Sequence, residues 1–184
     1  QGINGIGAAE WIMSHNGVRV GVERIAGELT DHYDPRAKVI RLSESSVVNS
    51  VASVAVVAHE LGHAEQDSQN YFPLKLRGAI VPAVSVSQAI GPLIFMGGML
   101  LKSGSLQIIG LAVFAMASVF ALVTLPVEFN ASNRALRTLE QSRLLSGDEM
   151  VGAKKVLDAA ALTYVAAAAQ SILTLLYFVS MMSG

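Results

Sequence analysis

At the start of the chain, hydrophobic and polar positions change from helical spacing to alternation. Residues 6–15 carry apolar side chains at helical spacing, and Asn16-Gly17 follows them as a typical helix stop. Residues 18–25 and 38–43 alternate apolar and polar positions, which predicts two strands. The sequence TDHYDP at residues 30–35 is rich in turn formers and predicts a turn. A small α+β part is therefore expected at this end of the chain.

The next apolar run predicts a long helix over residues 45–69, which Ser43 or Ser45 could cap. Its middle reads VAVVAHELGHAEQD and places His59 and His63 four residues apart. Because a helix turns once every 3.6 residues, both imidazoles project from one face about one turn apart. Two nitrogen ligands on one face can bind a single metal ion.

Glu60 follows the first of these histidines and completes the pattern H-E-x-x-H, which is typical of zinc hydrolases. The glutamate points to one side of the histidine pair, where its carboxylate could reach a water on the metal without being a ligand. The alternative is a pair of unrelated helix histidines. That alternative is weaker, because a helix of Val, Ala and Leu gains little from two imidazoles and a carboxylate unless something satisfies them.

Three long stretches without charged residues follow, at residues 78–101, 103–127 and 159–184. Each is longer than the roughly 20 residues that span a bilayer core, so each predicts a transmembrane helix. The loop around Lys102 is short, which makes the first two spans a tight hairpin. The sequence SGDE at residues 146–149 is a capping box that opens the last helix.

The composition agrees with a membrane protein. The chain has 184 residues, of which 52% are hydrophobic and 15% are charged, whereas soluble domains carry about a quarter charged residues. The net charge of -1 gives no reason to expect nucleic acid as a partner. The sequence contains no cysteine, so histidine and carboxylate side chains would have to hold any zinc ion.

The third metal ligand is less certain from the spacing. Glu128 is the preferred residue, because a carboxylate beside apolar Leu125 and Val127 at the end of a charge-free stretch needs a partner, and a cation would supply one. The alternative is an interfacial residue that marks the end of a span. The candidates are His15, His32, Glu65, Glu128, Glu140 and Glu149.

A peptidase would also need a group that stabilises the oxyanion. His32, Tyr164 and Arg134 have suitable side chains, although each could equally be a turn residue, a core tyrosine or an interface anchor.

The predicted strand before the histidine helix contains Val39, Ile40 and Arg41. If its edge is open, these residues could bind an extended peptide substrate through backbone hydrogen bonds. The alternative is an ordinary strand that is paired on both sides.

Five separated sequences, in order, are TDHYDP, VVAHELGHAEQ, PLKLR, LPVEFNASNRAL and AALTYVAAA. Together they resemble the YugP-type membrane zinc metallopeptidases, a bacterial family of neutral zinc metallopeptidases. The resemblance implies a gluzincin-like peptidase with one zinc ion per chain, in which His59, His63 and Glu128 bind zinc and Glu60 is the catalytic acid and base. Members of the family usually begin with a hydrophobic N-terminal span, so this chain is expected to start after that anchor.

The sequence EFNAS, which begins at Glu128, also resembles the E-x-x-A-D segment of the HtpX and prenyl-protein protease group. Ser132 stands where that group has an aspartate. An aspartate there could hydrogen-bond to a ligand histidine, and Asn130 or Ser132 would have to replace that bond. Arg134 is a further candidate for a supporting role around the ligands.

The expected fold is therefore a mainly α membrane protein with a small α+β N-terminal part and three transmembrane helices. Residues 1–77 would form the α+β part with the histidine helix. Residues 78–184 would form the membrane part with a hairpin, the third-ligand helix and a C-terminal span, and the two parts would make one catalytic unit. Small residues at Gly97-Gly98 and at residues 166–169 would also allow an oligomer.

The expected function is hydrolysis of peptide bonds in a peptide or membrane-protein substrate at the surface of the bacterial cell membrane. Lys102 flanks the hairpin on one side of the bilayer, whereas seven basic residues flank the spans on the other, which predicts a cytoplasmic active site. Those seven are Lys75, Arg77, Arg134, Arg137, Arg143, Lys154 and Lys155.

Two alternatives remain from the sequence. One is a zinc-binding membrane scaffold or inactive protease homologue that binds a membrane partner, although Glu60 would then have no role. The other is an intramembrane protease of the site-2 type, which would need an aspartate that the charge-free stretches lack.

Overall fold

The computed structural model describes residues 2–182 and shows a mainly helical chain, as the sequence predicted. The elements are α1 (Gly5–Asn16), β1 (Gly21–Arg24), β2 (His32–Asp34), β3 (Val39–Leu42), a 3-10 turn (Glu44–Ser46), α2 (Val51–Ser68), α3 (Phe72–Leu100), α4 (Gly104–Ser142) and α5 (Gly147–Met182). The chain divides into two compact units. The first unit is Gln1–Tyr71 with Glu128–Leu162, and the second unit is Phe72–Val127 with Thr163–Gly184.

This division differs in two respects from the parts expected from the sequence, 1–77 and 78–184, and the smaller difference is that residues 72–77 belong to the second unit. Residues 128–162 were assigned to the membrane part, but in the structure they belong to the first unit with the histidine helix. The reason is that α4 and α5 are longer than the charge-free stretches within them. The polar half of each helix packs with the N-terminal part of the chain. That both parts form one catalytic unit stays a prediction.

The first helix matches its sequence pattern. α1 is capped at its start by the Asn4 side chain, which accepts a hydrogen bond of 2.9 Å from the Gly7 amide. It ends at Gly17, whose φ of 73° lies in the left-handed region that glycine adopts without strain. β1 and β3 lie inside the two predicted strands.

The turn predicted at residues 30–35 was wrong, because His32–Asp34 forms strand β2. The turn itself lies directly after this strand, where the Asp34 carboxylate accepts hydrogen bonds from the amides of Arg36 and Ala37. Asp31, on the other side of β2, accepts hydrogen bonds from the backbone and hydroxyl groups of Ser43. Asp31 directly precedes β2 and Asp34 is its last residue, so these two aspartates hydrogen-bond at the two ends of the strand.

Among the described residues, the three strands form one sheet in the order β1-β3-β2. β3 pairs in parallel with β1 and antiparallel with β2, so it is the central strand. The idea that Val39, Ile40 and Arg41 present an open edge to a substrate was therefore wrong. Because residues 30–35 were predicted as a turn, the sequence pattern did not indicate β2, which is the strand that pairs with this edge of β3.

Arg41 connects the three strands through its guanidinium group. Its Nε donates to Glu23 on β1 at 2.9 Å, and its Nη1 donates to Asp34 on β2 at 2.7 Å. The hydrogen bond from Arg41, with those from Ala37 and Arg36, lowers the pKa of Asp34 from 3.8 to about 2. Because the folded pKa is depressed, the ionised Asp34 stabilises the fold above about pH 4, and this contribution disappears as the pH falls towards 2.

We expect Arg41→Gln to raise the pKa of Asp34 part of the way back to 3.8, because the amides of Arg36 and Ala37 still donate to the carboxylate. A carbon-detected NMR titration of the aspartate carboxyl groups measures this change. Lys38→Gln is the control, since Lys38 pairs with Asp67 instead. An Asp34 pKa that stays near 2 in Arg41→Gln would show that the backbone amides suffice.

The start of the histidine helix also differs from the sequence prediction. Residues Glu44–Ser46 form a 3-10 turn, and α2 begins at Val51 rather than near Ser45. The cap is Ser50, whose Oγ accepts from the Ser53 amide at 3.0 Å. Neither Ser43 nor Ser45 is therefore the cap of α2.

The core of the first unit packs α1, β3 and the first half of α2 with the polar halves of α4 and α5. Its members are mostly small or branched, which allows helices to approach closely. They include Ala8, Ile12, Ile40, Leu42, Val54, Ala58, Leu61, Ala135, Leu139, Ala153 and Leu157. This packing positions α2 for the site described below.

The second unit contains a close helical hairpin of α3 and the first half of α4. A Cβ added at Gly98 would come within 2.6 Å of the Gln107 amide nitrogen, and one added at Gly110 would come within 2.4 Å of the Phe95 nitrogen. Gly98, which the sequence suggested for contacts between copies of the chain, therefore packs against α4 of its own chain. The Phe178 ring of α5 packs at a tilt against Phe95, at 4.9 Å between centroids, and edge-to-face against Phe114 at 5.2 Å.

In the described part of the chain, three helices are long and apolar enough to cross a membrane, namely α3, α4 and α5. The predicted spans coincide with these helices except at residues 101 and 103, and residues 183–184 of the third span lie outside the described part of the chain. Pro82 and Pro92 do not interrupt α3, and Pro126 does not end α4. Because α4 continues past Pro126, Glu128 lies on the same helix as the second span.

Candidate metal centre

Helices α2 and α4 of the first unit bring three possible metal ligands together. His59 and His63 lie one turn apart on α2, and Glu128 faces them from α4. The Glu128 Oε2 atom lies 3.1 Å from His59 Nε2 and 3.5 Å from His63 Nε2. One ligand atom of each residue lies within 4.8 Å of the others. These are the three residues that the sequence reading favoured as metal ligands.

The geometry and chemistry of this group fit a zinc ion. Two ligand atoms that are each about 2.0–2.1 Å from a tetrahedral zinc are about 3.3 Å apart. The distances of 3.1 and 3.5 Å from the carboxylate oxygen to the two imidazoles lie on either side of that value. A set of two imidazoles and one carboxylate also leaves a fourth position for water, as in catalytic zinc sites.

Because Glu128 is buried, its carboxylate needs hydrogen-bond donors or a positive partner. The residue is 1% exposed, and an ionised carboxylate is costly to bury without a hydrogen bond or a counter-charge. Burial by itself would lower the pKa of His63, but the hydrogen bond to Glu128 and the charges of Glu60 and Glu128 outweigh it and raise the pKa. Either a proton or a metal ion can therefore balance the carboxylate, and metal binding would displace the proton.

The Nδ1 atom of each histidine, which does not face Glu128, also has a hydrogen-bond partner. His59 Nδ1 lies 3.2 Å from the Ser132 hydroxyl, at the position where the HtpX-like segment has an aspartate. His63 Nδ1 lies 3.0 Å from Gln66 Oε1, and Gln66 Nε2 donates to Asn130 Oδ1 at 3.0 Å. Ligand histidines in metal sites are usually oriented in this way by their other nitrogen.

Arg134 lies further from the possible metal position than the histidines do, and its guanidinium group contacts several residues. It forms an ion pair with Glu65 and donates to Gln69 at 2.8 Å and to Asn130 at 2.7 Å. Its guanidinium also lies 6.0 Å from the centre of the Tyr71 ring. A cation held by four partners is better suited to support the ligands than to bind an oxyanion.

Glu60 lies on α2 directly after His59 and is 7% exposed. Its carboxylate acts on His63 through its charge. It is not one of the three residues that converge on a common point. Its position is that of a carboxylate beside the ligands rather than among them.

The other sequence candidates for the third ligand have different surroundings. His15 Nδ1 lies 2.8 Å from the Trp11 carbonyl, and Glu65 pairs with Arg134. Glu149 accepts from the Ser146 amide at 2.8 Å in the predicted capping box, which is confirmed. Glu140 is exposed on α4. Among the described residues, the possible metal group contains none of them.

Two residues proposed for catalysis stay predictions. His32 is exposed on β2, and its Nδ1 lies 2.9 Å from the Thr30 carbonyl. Tyr164 belongs to the second unit. For each of them, a role in stabilising an oxyanion depends on how a substrate binds.

Two residues of the site were missed in the sequence. Gln66 follows His63 by three residues, so it lies on the same helix face, and this spacing could have indicated it. Gly62 lies where α2 and α4 approach closely, and a Cβ there would come within 2.6 Å of the Ala131 carbonyl oxygen. A lone glycine in a helix carries no such signal by itself.

We expect Gly62→Ala to push α2 and α4 apart, because the new Cβ meets rigid backbone. The free energy of unfolding should fall by about 1–3 kcal/mol, as for other overpacked sites, and zinc affinity should fall with it. Thermal unfolding and a zinc titration measure the two effects.

The matched control is Gly147→Ala, because a Cβ at Gly147 meets nothing within 4 Å. That substitution should leave both quantities unchanged or raise the stability slightly, since alanine favours a helix. If the two variants behaved alike, the close approach at Gly62 would not matter for the site.

Comparisons with known proteins agree with this geometry. Residues 1–183 match the family model described as "Putative neutral zinc metallopeptidase". A relative in Bacillus subtilis (strain 168), "Putative membrane protease YugP", is 47% identical over 182 residues, which cover 97% of this chain and 80% of the relative. No solved structure matches the chain. The gluzincin-like fold and the anchor before Gln1 therefore stay predictions.

Proposed function

We propose that this chain, which belongs to the family described as "Putative neutral zinc metallopeptidase", is a membrane metalloendopeptidase that uses Glu60 as its general base. The site would hold one zinc ion through His59, His63 and Glu128. Its substrates would be peptides or segments of membrane proteins.

The observation that carries this proposal is the place of Glu60 beside a complete group of metal ligands. Two imidazoles and a buried carboxylate already supply three ligands. Glu60 adds a second acidic group, 7% exposed, on the same turn of α2 as the ligands. Metal binding alone needs no such group, whereas hydrolysis needs a base next to the attacking water.

Bound zinc would supply a Lewis acid that lowers the pKa of a water molecule and polarises the scissile carbonyl. Glu60 would take the proton from this water as it attacks the carbonyl carbon. It would then deliver the proton to the departing amine, so that the C–N bond breaks with a neutral leaving group. Ser132 and Gln66 would keep the imidazoles in place during these steps.

Sequence position supports a site near the membrane surface. Glu128 is the first charged residue after the charge-free stretch 103–127, on the same helix α4. Basic residues that flank the spans on this side of the sequence outnumber the single Lys102 in the hairpin loop. By the positive-inside rule, the site would face the cytoplasm of a bacterial cell.

The proposal is tested by peptide hydrolysis in detergent micelles. The zinc-loaded chain should cleave an unfolded protein such as casein, or internally quenched peptides, at internal bonds. A chelator should remove the activity, and added zinc should restore it. A chain that binds zinc but cleaves no substrate, in micelles or in lipid vesicles, would favour a zinc-binding scaffold instead.

A further inference from the structure

A chain of four polar side chains runs from the surface of the first unit to one ligand histidine. It begins at Arg134, passes through the amides of Asn130 and Gln66, and ends at His63 Nδ1. Gln66 is fully buried at 0% exposure. A buried amide in such a position has to make defined hydrogen bonds.

The directions of these bonds follow from Arg134. A guanidinium can only donate, so the Asn130 atom that it contacts at 2.7 Å has to be the carbonyl oxygen. That oxygen also receives the Gln66 amide, which must therefore use its NH₂ group. Gln66 then turns its own oxygen towards His63, and an oxygen of this kind can only accept.

Neutral His63 must in consequence carry its hydrogen on Nδ1, which leaves the Nε2 lone pair for a metal ion, whereas the protonated ring carries a hydrogen on Nε2 as well and donates it to Glu128. His59 differs, because its Nδ1 contacts the Ser132 hydroxyl, which can either donate or accept. The two ligands are thus held by different means. Gln66 sets the tautomer of neutral His63, whereas the Ser132 hydroxyl permits either tautomer of His59, whose Nε2 lies 3.1 Å from the Glu128 carboxylate.

We infer that Gln66 is a positioning residue for the zinc site, which acts with Asn130 and Arg134 to keep His63 in the tautomer that binds metal. In the wrong tautomer, His63 would present an N–H to the ion, and it would have to lose the bond to Gln66 before it could bind. This inference rests on the proposed zinc site, and it adds three residues that never touch the metal. Arg134 would then influence metal affinity although Asn130 and Gln66 stand between it and His63 in the hydrogen-bond chain.

The test reads the tautomer directly, in metal-free protein with ¹⁵N-labelled histidine, at a pH high enough for His63 to be neutral. Nitrogen-detected NMR distinguishes a hydrogen on Nδ1 from one on Nε2. We expect the Nδ1–H form for His63 in the native chain. In Gln66→Met, which keeps the volume but removes the acceptor, we expect a mixture of both forms.

The second readout is zinc affinity, which does not depend on peptidase activity. Loss of a partner that orients a ligand histidine typically weakens binding by about 10- to 100-fold, and we expect this range for Gln66→Met. Asn130→Leu should also weaken binding, whereas Asn130→Asp should keep it near native. An aspartate can still accept from both Arg134 and Gln66, so it serves as the rescue variant.

Ser132→Ala is the matched control, since it removes the partner of His59 and should leave the His63 tautomer unchanged. The inference is overturned if Gln66→Met keeps His63 in the Nδ1–H form, or if Asn130→Asp disturbs it as much as Asn130→Leu. The tautomer can be measured without metal. A native chain with the expected tautomer that binds no zinc would therefore contradict the proposed function while leaving the hydrogen-bond chain intact.

Discussion

Glu60→Gln is expected to lower kcat by about 100- to 10,000-fold, the range that a general base usually contributes. Glutamine keeps the size of the side chain but cannot take a proton from the attacking water. Zinc should stay bound, because Glu60 is not among the three residues that converge on the metal position. The measurement is the rate of peptide hydrolysis at saturating substrate, together with zinc content.

Glu140→Gln provides the control for this experiment. Glu140 is an exposed carboxylate on α4, so its neutralisation should change neither the rate nor the zinc content. If Glu60→Gln retained the native rate with zinc bound, another group would have to act as the base. If it lost zinc together with activity, Glu60 would belong to the ligand set.

Glu128→Ala is expected to weaken zinc binding by far more than the roughly 10- to 100-fold that loss of an orienting partner costs. It removes one of three ligands and the buried negative charge that both imidazoles face. Peptidase activity should fall to background at ordinary zinc concentrations. Competition with a zinc chelator of known affinity gives the dissociation constant.

The comparison variant is Glu140→Ala, which removes the same side chain from an exposed position twelve residues later on the same helix. It should bind zinc as the native chain does. Circular dichroism of both variants checks that the helices remain. Native affinity in Glu128→Ala would mean that another residue supplies the third ligand.

The group of possible metal ligands could be predicted from the sequence because its signals are local or chemically unusual. His59 and His63 lie one helical turn apart, and that spacing alone puts them on one face. Glu128 stands out as the first charge after a long apolar stretch, where a carboxylate needs a partner. Neither signal depends on the rest of the fold.

Only some of the supporting residues could be predicted: the sequence indicated Asn130, Ser132 and Arg134 but not Gln66. Gln66 and Asn130 are 64 residues apart in sequence, and their hydrogen bond joins two helices. Gly62 matters because the backbone of Ala131 lies against it. These relations exist only once α2 and α4 have packed together.

The errors in the small sheet have a related cause. Residues 30–35 contain two aspartates and a proline, which are common in turns, but pairing with β3 makes His32, Tyr33 and Asp34 a strand. The position of β3 at the centre of the sheet followed from the strand that was missed. The local sequence pattern predicted β1 and β3 correctly. At β2, pairing with β3 outweighed the local preference for a turn.

The proposed function depends on one zinc ion held by two imidazoles and one carboxylate. The most direct test is to measure zinc per chain in the native protein purified in detergent, with X-ray absorption at the zinc edge on the same sample. We predict about one zinc per chain, with two histidine ligands and oxygen ligands at about 2.0–2.2 Å. A bound zinc with fewer than two histidine ligands, or a chain that takes up no zinc, would contradict the account.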